Sequence, residues 1–334
     1  MFAMHEPTQV GAARRHAATL ADRHGFDEVA AGRLALVVTE LGTNLVRHAR
    51  DGRLLIAAAQ DDPAAHVEVV SLDRGPGMAD IERCLRDGFS SGGTPGSGLG
   101  AVRRLSASFD AFSCPEQGTV IVARVARDSR AAPAHAAGAG AEPLDIAGIA
   151  TAAPGEHVCG DGWRGTQAAG AGRLIVADGL GHGPEAAKAS DAALAVLGTH
   201  ADDGLAQLLS RTHGNLQGTR GAAVAFVAFD AAQSEIIFCG AGNIVGRVIS
   251  GTDDRSFMSQ HGTVGLQVQR PHIVRQAWPA HAVLVVHSDG VATRWNLKDV
   301  PGLLGCPAAV IAAWILNLHA RGRDDATVVV VRRP

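Results

Sequence analysis

At 334 residues and a formal net charge of −3, the chain has length for two domains with their own cores, and no basic excess to suggest nucleic acid. No apolar run approaches a membrane span, Met1–Glu6 lacks the pattern of a signal peptide, and five scattered cysteines (Cys84, Cys114, Cys159, Cys239, Cys306) form no C-x-x-C pair. Reduced, mostly buried thiols in a cytoplasmic protein are therefore expected, and lysines only at Lys188 and Lys298 exclude a P-loop or an ordinary protein kinase from the first half.

In chain order, Leu34, Val37, Val38, Leu41 and Leu45 recur at helical spacing. Glu40, Asn44 and His48 lie four apart and share a second face of that helix. Two readings stand for this face: a solvated polar surface, or a glutamate that takes a proton beside an asparagine that holds Mg2+ through its carbonyl oxygen. A strand is predicted over 66–72, closed by Asp73-Arg74-Gly75-Pro76-Gly77. An aspartate at that end is able to accept a hydrogen bond from an exocyclic amine such as that of adenine, and the glycines permit close backbone approach. A glycine-rich loop over 90–100 then opens a helix predicted at 101–105. Such a loop offers backbone N–H groups and a favourable dipole to phosphates, although a flexible turn has the same composition.

Taken together and in this order, these elements resemble the GHKL, or Bergerat-fold, ATPases. Glu40 and Asn44 match the N box, Asp73, Gly75 and Gly77 the first glycine motif, and Gly96, Gly98 and Gly100 the second, with Gly118-Thr119 resembling the final Gly-Thr. The wording Thr39-Glu40-Leu41-Gly42-Thr43-Asn44-Leu45-Val46-Arg47-His48-Ala49 is similar to the anti-sigma-factor serine kinases. Asp87-Gly88-Phe89-Ser90 and the run Gly98–Leu105 are most similar to RsbT-like switch kinases. Over 8–126 the resemblance implies an α/β sandwich that binds ATP and Mg2+ and phosphorylates a serine or threonine of an STAS-domain protein. Glu40 would be the general base, Asn44 the Mg2+ ligand and Asp73 the adenine reader. Gly96, Gly98, Leu99 and Gly100 would form the phosphate lid, with Thr119 near the base.

An Ala/Gly/Pro-rich stretch over 127–143 without periodicity predicts a flexible linker. Beyond it, strands are predicted at 173–177, 222–229, 235–238, 244–249, 282–287 and 327–331, with helices near 184–197 and 307–319. Mostly strands with a few helices reads as an α+β sandwich. Four aspartates mark strand ends here: Asp161, Asp178 (followed by Gly179), Asp289 and Asp324. Asp-Gly alone marks a turn; several at such positions favour a site for a hard divalent cation. His182 and His287 read as loop or packing residues, and the four tryptophans as packing.

The order of the aspartates, with Glu156 ahead of Asp161 and Ala241-Gly242-Asn243 after a strand, resembles the metal-dependent phosphatases of the SpoIIE type, and within them the RsbX-like group. Over 144–332 this implies a β-sandwich flanked by helices that carries two Mn2+ or Mg2+ ions. Asp178 would bridge them, the Gly179 carbonyl would ligate one, and Asp289 and Asp324 would complete the second site. Asp161 would lie close by, and Asp325 ranks below Asp324. The expectation for the whole chain is a two-domain α+β regulator that both phosphorylates and dephosphorylates an STAS partner, with dimerisation open. The alternative is an ATP-gated adapter fused to an active phosphatase; neither half implies a nucleic-acid or membrane partner.

Overall fold

The computed structural model describes residues 1–58, 66–85, 98–128 and 144–333. It divides into two compact units, Met1–Ala136 and Ala137–Pro334. Most of the predicted linker, and with it Gly96 and the run Asp87–Ser90, lies outside the described residues.

The first unit carries β1 (Phe2–Ala3), α1 (Pro7–Arg23), α2 (Glu28–His48), β2 (Arg53–Ala58), β3 (His66–Asp73), α3 (Ile81–Cys84), α4 (Gly98–Leu105), β4 (Ser108–Cys114) and β5 (Gly118–Ala126). The start of α1 is fixed by Pro7 and by a reciprocal cap between Glu6 and Gln9, and that of α2 by Asp27, whose Oδ1 accepts from Ala30 N at 2.7 Å. The strands form one antiparallel sheet in the order β1-β2-β3-β5-β4. The stripe Leu34, Val37, Val38, Leu41 and Leu45 of α2 packs with α1 onto Leu54, Ile56, Val67, Val69, Ile121, Ala123 and Val125. By length and hydropathy α2 is the one helix among the described residues able to cross a membrane. This corrects the expectation that no apolar run approaches a membrane span, and the apolar stripe of the helix packs into this core.

The α4 helix corrects the expected loop. It begins at Gly98, so Gly98, Leu99 and Gly100 are its first turn and not an irregular approach to it.

The second unit carries β6 (Asp145–Thr151), β7 (Asp161–Ala168), β8 (Ala171–Gly179), α5 (Pro184–Thr199), α6 (Leu205–Asn215), β9 (Ala222–Asp230), β10 (Glu235–Ala241), β11 (Val245–Ile249), β12 (Asp254–Met258), β13 (Gly262–Thr263), β14 (Gln267–Val268), β15 (Val274–Ala277), β16 (Val283–His287), α7 (Ala308–His319) and β17 (Ala326–Arg332). Two five-stranded antiparallel sheets, β15-β10-β9-β8-β7 and β12-β11-β16-β17-β6, face each other. The pleat sorts the side chains. Leu174 and Val176 of β8 enter the core between the sheets with Leu284, Val286, Val329 and Val331, while Ile175 and Ala177 turn outward beneath α5 and α6. The α7 helix covers the other sheet and is buried on every side from Ala308 to Asn317.

Two expectations are corrected in this unit. Helix α6 was not read from the sequence, although Leu205, Leu208, Leu209 and Thr212 have its period; the glycines at 204 and 214 masked it. None of the five cysteines is in a disulfide, and only Cys239 is buried. Among the tryptophans, Trp278 and Trp314 are fully buried, Trp295 is nearly so, and Trp163 packs tightly over Gly148.

Candidate active sites

In the first unit three of the predicted residues meet across two helices. A Cβ built on Gly98 would stand 3.6 Å from Glu40 Oε2 and 3.6 Å from Asn44 Nδ2. The first turn of α4 therefore faces the polar side of α2, and the absence of a side chain at 98 keeps the space between them open. Glu40 and Asn44 are both half-buried there.

Asp73 ends β3 opposite Thr119 of β5 in the strand register. Its carboxylate accepts from Gly75 N at 2.7 Å and from the Thr119 hydroxyl. Burial pushes its pKa up, and the bonds from Gly75 and Thr119 pull it back. Ser113 Oγ lies 2.9 Å from Thr119 Oγ1 and accepts from Met78 N at 2.7 Å, so this corner is tied together. Gly77, at φ +68°, passes so close to Cys114 that an added Cβ would sit 2.3 Å from its carbonyl oxygen. No other residue type fits that turn.

In the second unit, Asp161 opens β7 and pairs in register with Asp178 near the end of β8. Asp289 follows β16 and Asp324 precedes β17, which places both at an edge of the other sheet. Electrostatics link the four. Burial first, then the charges of Asp161, Asp289 and Asp324, push Asp178 up to about 9. Burial and Asp325 raise Asp161 to about 7, against the bond it accepts from Ser288. Asp289 is also raised, by burial and then by Asp324, while Arg321 and Asn243 act the other way.

Surrounding groups set these carboxylates. Ser288 Oγ donates to Asp161 Oδ2 at 2.6 Å and accepts from Thr327 N at 2.9 Å. Asn243 Nδ2 donates to Asp289 Oδ2 at 2.7 Å. Asp325 is buried with both oxygens engaged, accepting from Ala153 N at 2.8 Å and Gly160 N at 2.9 Å. Asp324 is exposed and, among the described residues, takes only the bond from Asp325 N at 2.9 Å. Ser288 and Thr327 were not singled out from the sequence; the His-Ser-Asp-Gly run holding Ser288 drew notice only for its aspartate. Gly179 is pressed against α5, where a Cβ would stand 2.1 Å from the Ala186 carbonyl oxygen.

The two histidines differ. His287 is fully buried, with Nδ1 2.8 Å from the Ser288 carbonyl oxygen, and burial lowers its pKa to about 4. It packs beside Trp295, whose ring stacks on His319 and lies under Arg247. His182 is exposed, and its Nδ1 lies 2.5 Å from Glu156 Oε1.

No group of three or more His, Cys, Asp or Glu side chains among the described residues already converges as a set of metal ligands. The carboxylates line an edge and do not close a cage. Their chemistry nonetheless fits a hard divalent cation: every donor is an oxygen, and Asp161 Oδ1 is buried without a hydrogen bond.

Comparison with known proteins agrees with the two-unit division. The model of the histidine kinase-like ATPase domain matches residues 4–125. That of stage II sporulation protein E (SpoIIE) matches residues 169–334. Serine/threonine-protein kinase RsbT of Bacillus subtilis (strain 168) is 34% identical over 112 residues, which span 34% of this chain and 84% of RsbT. A solved chain of the bacterial stressosome, a modular system adapted to control secondary messenger signalling, is 29% identical with a TM-score of 0.53, covering 57% of this chain and 100% of its own length. The PP2C phosphatase domain of SpoIIE from Bacillus subtilis, with a fragment of its regulatory domain, shares the fold at 14% identity and a TM-score of 0.50, over 97% of this chain and 96% of that one. The chain therefore belongs to the RsbT family of histidine kinase-like ATPase domains, here continued into a SpoIIE phosphatase domain.

Proposed function

We propose that this chain is a partner-switching regulator with two opposed activities toward an STAS-domain protein in the cytoplasm. The N-terminal unit moves the γ-phosphoryl group of ATP onto a serine or threonine; the C-terminal unit returns the hydroxyl and releases phosphate. The observation that carries this reading is the presence on one chain of Glu40 and Asn44 facing Gly98 and of four electrostatically linked carboxylates at strand ends of the two facing sheets. The identity to RsbT supports the first half of it.

In the N-terminal unit Asp73 binds the adenine amine through a carboxylate held by Gly75 and Thr119. The first turn of α4, with Gly98, Leu99 and Gly100, presents backbone N–H groups to the phosphates, and Gly96 belongs to the same segment. Asn44 holds Mg2+, and Glu40 takes the proton from the acceptor hydroxyl as its oxygen bonds to phosphorus and ADP leaves. Phosphoryl transfer is largely positioning and charge neutralisation, so these few groups suffice.

In the C-terminal unit Asp178, the Gly179 carbonyl, Asp289 and Asp324 hold two Mn2+ or Mg2+ ions, with Asp161 beside them. When bound, such ions neutralise phosphate charge and acidify a water. Ser288 and Asn243 orient Asp161 and Asp289, and Asp325 fixes the loops on which the others sit.

The test is intact-mass spectrometry of STAS-domain proteins encoded beside this gene, incubated with Mg-ATP and either wild type or Asp178→Asn. Phosphorylated STAS protein accumulates with the variant and not with wild type. If neither adds phosphate to any candidate although ATP binds, the N-terminal unit is no kinase and the reading fails.

A further inference from the structure

The β8–β9 ladder continues past the carboxylate edge. Gly179 pairs with Ala222, and Leu180 N donates to the Gly221 carbonyl at 2.9 Å. The next position outward sets Gly181 against Arg220. A Cβ on Gly181, which has φ +89°, would stand 3.1 Å from Arg220 Nη1. The missing side chain at 181, three residues along the chain from Asp178, thus gives the guanidinium its place. Arg220 makes no hydrogen bond or ion pair among the described residues. It acts on Glu185 only through space, and Glu185 is already bonded to Lys188 Nζ at 2.5 Å.

Two leucines stand against Gly221, the residue that follows Arg220. Leu180 is 51% exposed and Leu266 is 59% exposed. Leu266 reaches the same corner from the opposite side of β9: residue 264 bridges Ala222, and a Cβ on Gly221 would lie 3.3 Å from Leu266 Cγ. A cation without a partner among the described residues, one position along the chain from the glycine that both exposed leucines meet, leaves charge and apolar area uncovered at the rim of the site.

Resting on the phosphatase reading above, we infer that Leu180, Arg220 and Leu266 form a docking lip for the phosphorylated protein substrate. The lip engages an acidic residue next to an apolar one in the chain flanking the phosphorylated side chain. Charge complementarity sets the acidic partner, the leucines set the apolar one, and continuity with Asp178-Gly179 sets the occupant as the substrate itself. The lip distinguishes protein substrates and does not touch the phosphate. Rim charges of this kind act mainly on encounter and orientation.

The test uses the full chain with Mn2+ and three substrates. They are p-nitrophenyl phosphate, a phosphoserine peptide with Asp-Leu in its flank, and the same peptide with Lys-Ser there. Wild type shows a KM for the Asp-Leu peptide about tenfold below that of the Lys-Ser peptide, a rim effect of ordinary size. Arg220→Glu reverses the preference, Leu266→Ser raises KM for the Asp-Leu peptide alone, and p-nitrophenyl phosphate keeps its kcat and KM throughout. Equal KM for both peptides in wild type overturns the lip. So does an Arg220→Glu effect on p-nitrophenyl phosphate as large as on the peptides, which would place Arg220 at the phosphate. If wild type hydrolyses nothing in Mn2+ or Mg2+, the phosphatase reading is what has failed. Fluorescence anisotropy of the two labelled peptides then decides the lip, which needs tighter binding of the Asp-Leu peptide that Arg220→Glu removes.

Discussion

Asp161 and Asp178 stand directly opposite each other on neighbouring antiparallel strands. Like charges facing across a ladder are unfavourable, and here burial and further carboxylates raise Asp178 to about 9 and Asp161 to about 7. In the unfolded chain both ionise near the usual carboxylate value of about 4. Between there and the raised values the metal-free fold binds protons that the unfolded chain has lost. The stability tied to the neutral forms is whole at acid pH and drains away as pH rises through 7 towards 9. The transition of the C-terminal unit in metal-free protein should therefore melt lower at pH 8 than at pH 6. Asp178→Asn should lessen that slope and melt higher at pH 8, by about 2–4 °C for each kcal/mol of repulsion removed from a unit of this size. Mn2+ should raise the melting temperature of wild type and not of the variant. A gap between wild type and variant that does not widen with pH would remove the coupling from the account.

Glu40→Ala separates catalysis from capture. Glu40 faces the opening of α4 with Asn44, so its loss should leave nucleotide binding near the wild-type value. Transfer to the STAS protein should fall by roughly 10²–10⁴-fold, the usual worth of a positioned general base. Calorimetry with a non-hydrolysable ATP analogue, beside single-turnover transfer, reads the two effects. Undiminished transfer would strip Glu40 of its role.

Asp73 is assigned to the other end of the proposed nucleotide site. Replacing it by alanine removes the acceptor for Gly75 N and the Thr119 hydroxyl, and with them the partner assigned to the adenine amine. One hydrogen bond to a charged group is worth about 1.5–3 kcal/mol, so ATP affinity should fall about 10–100-fold. GTP, which offers a carbonyl where ATP offers the amine, should bind wild type poorly and the variant no worse. Equal ATP affinities before and after the substitution would place adenine elsewhere.

The legible parts of this molecule were those with a local signature. Asp178 could be placed at a strand end because Leu174-Ile175-Val176 precedes it and Gly179 follows. The Glu40/Asn44 face follows from helical spacing alone. The beginning of α4 was not legible, because Gly98 and Gly100 are poor helix formers and long-range packing against α2 decides the matter. Between Asp324 and Asp325, neighbours of one residue type, only the ranking implied by the resemblance was available, and the buried bonding of Asp325 was not legible. Their difference comes from Ala153 and Gly160, more than 160 residues away along the chain. Likewise, only the fold shows that Ser288 holds Asp161.

The difference between Asp324 and Asp325 gives the sharpest mutational contrast. Asp325→Ala strands two buried amides, Ala153 N and Gly160 N, and Gly160 is the residue on which Asp161 follows. Each buried donor left unsatisfied costs about 1–3 kcal/mol. The variant should thus lose several kcal/mol and melt well below wild type even without metal. Asp324→Ala alters an exposed side chain bonded, among the described residues, only to its neighbour's amide. Its metal-free melting temperature should stay within about 1–2 °C of wild type, the usual reach of a surface change, while Mn2+ binding by calorimetry and phosphatase turnover fall together. The reverse pattern, with Asp325→Ala stable but unable to bind Mn2+, would exchange the two roles.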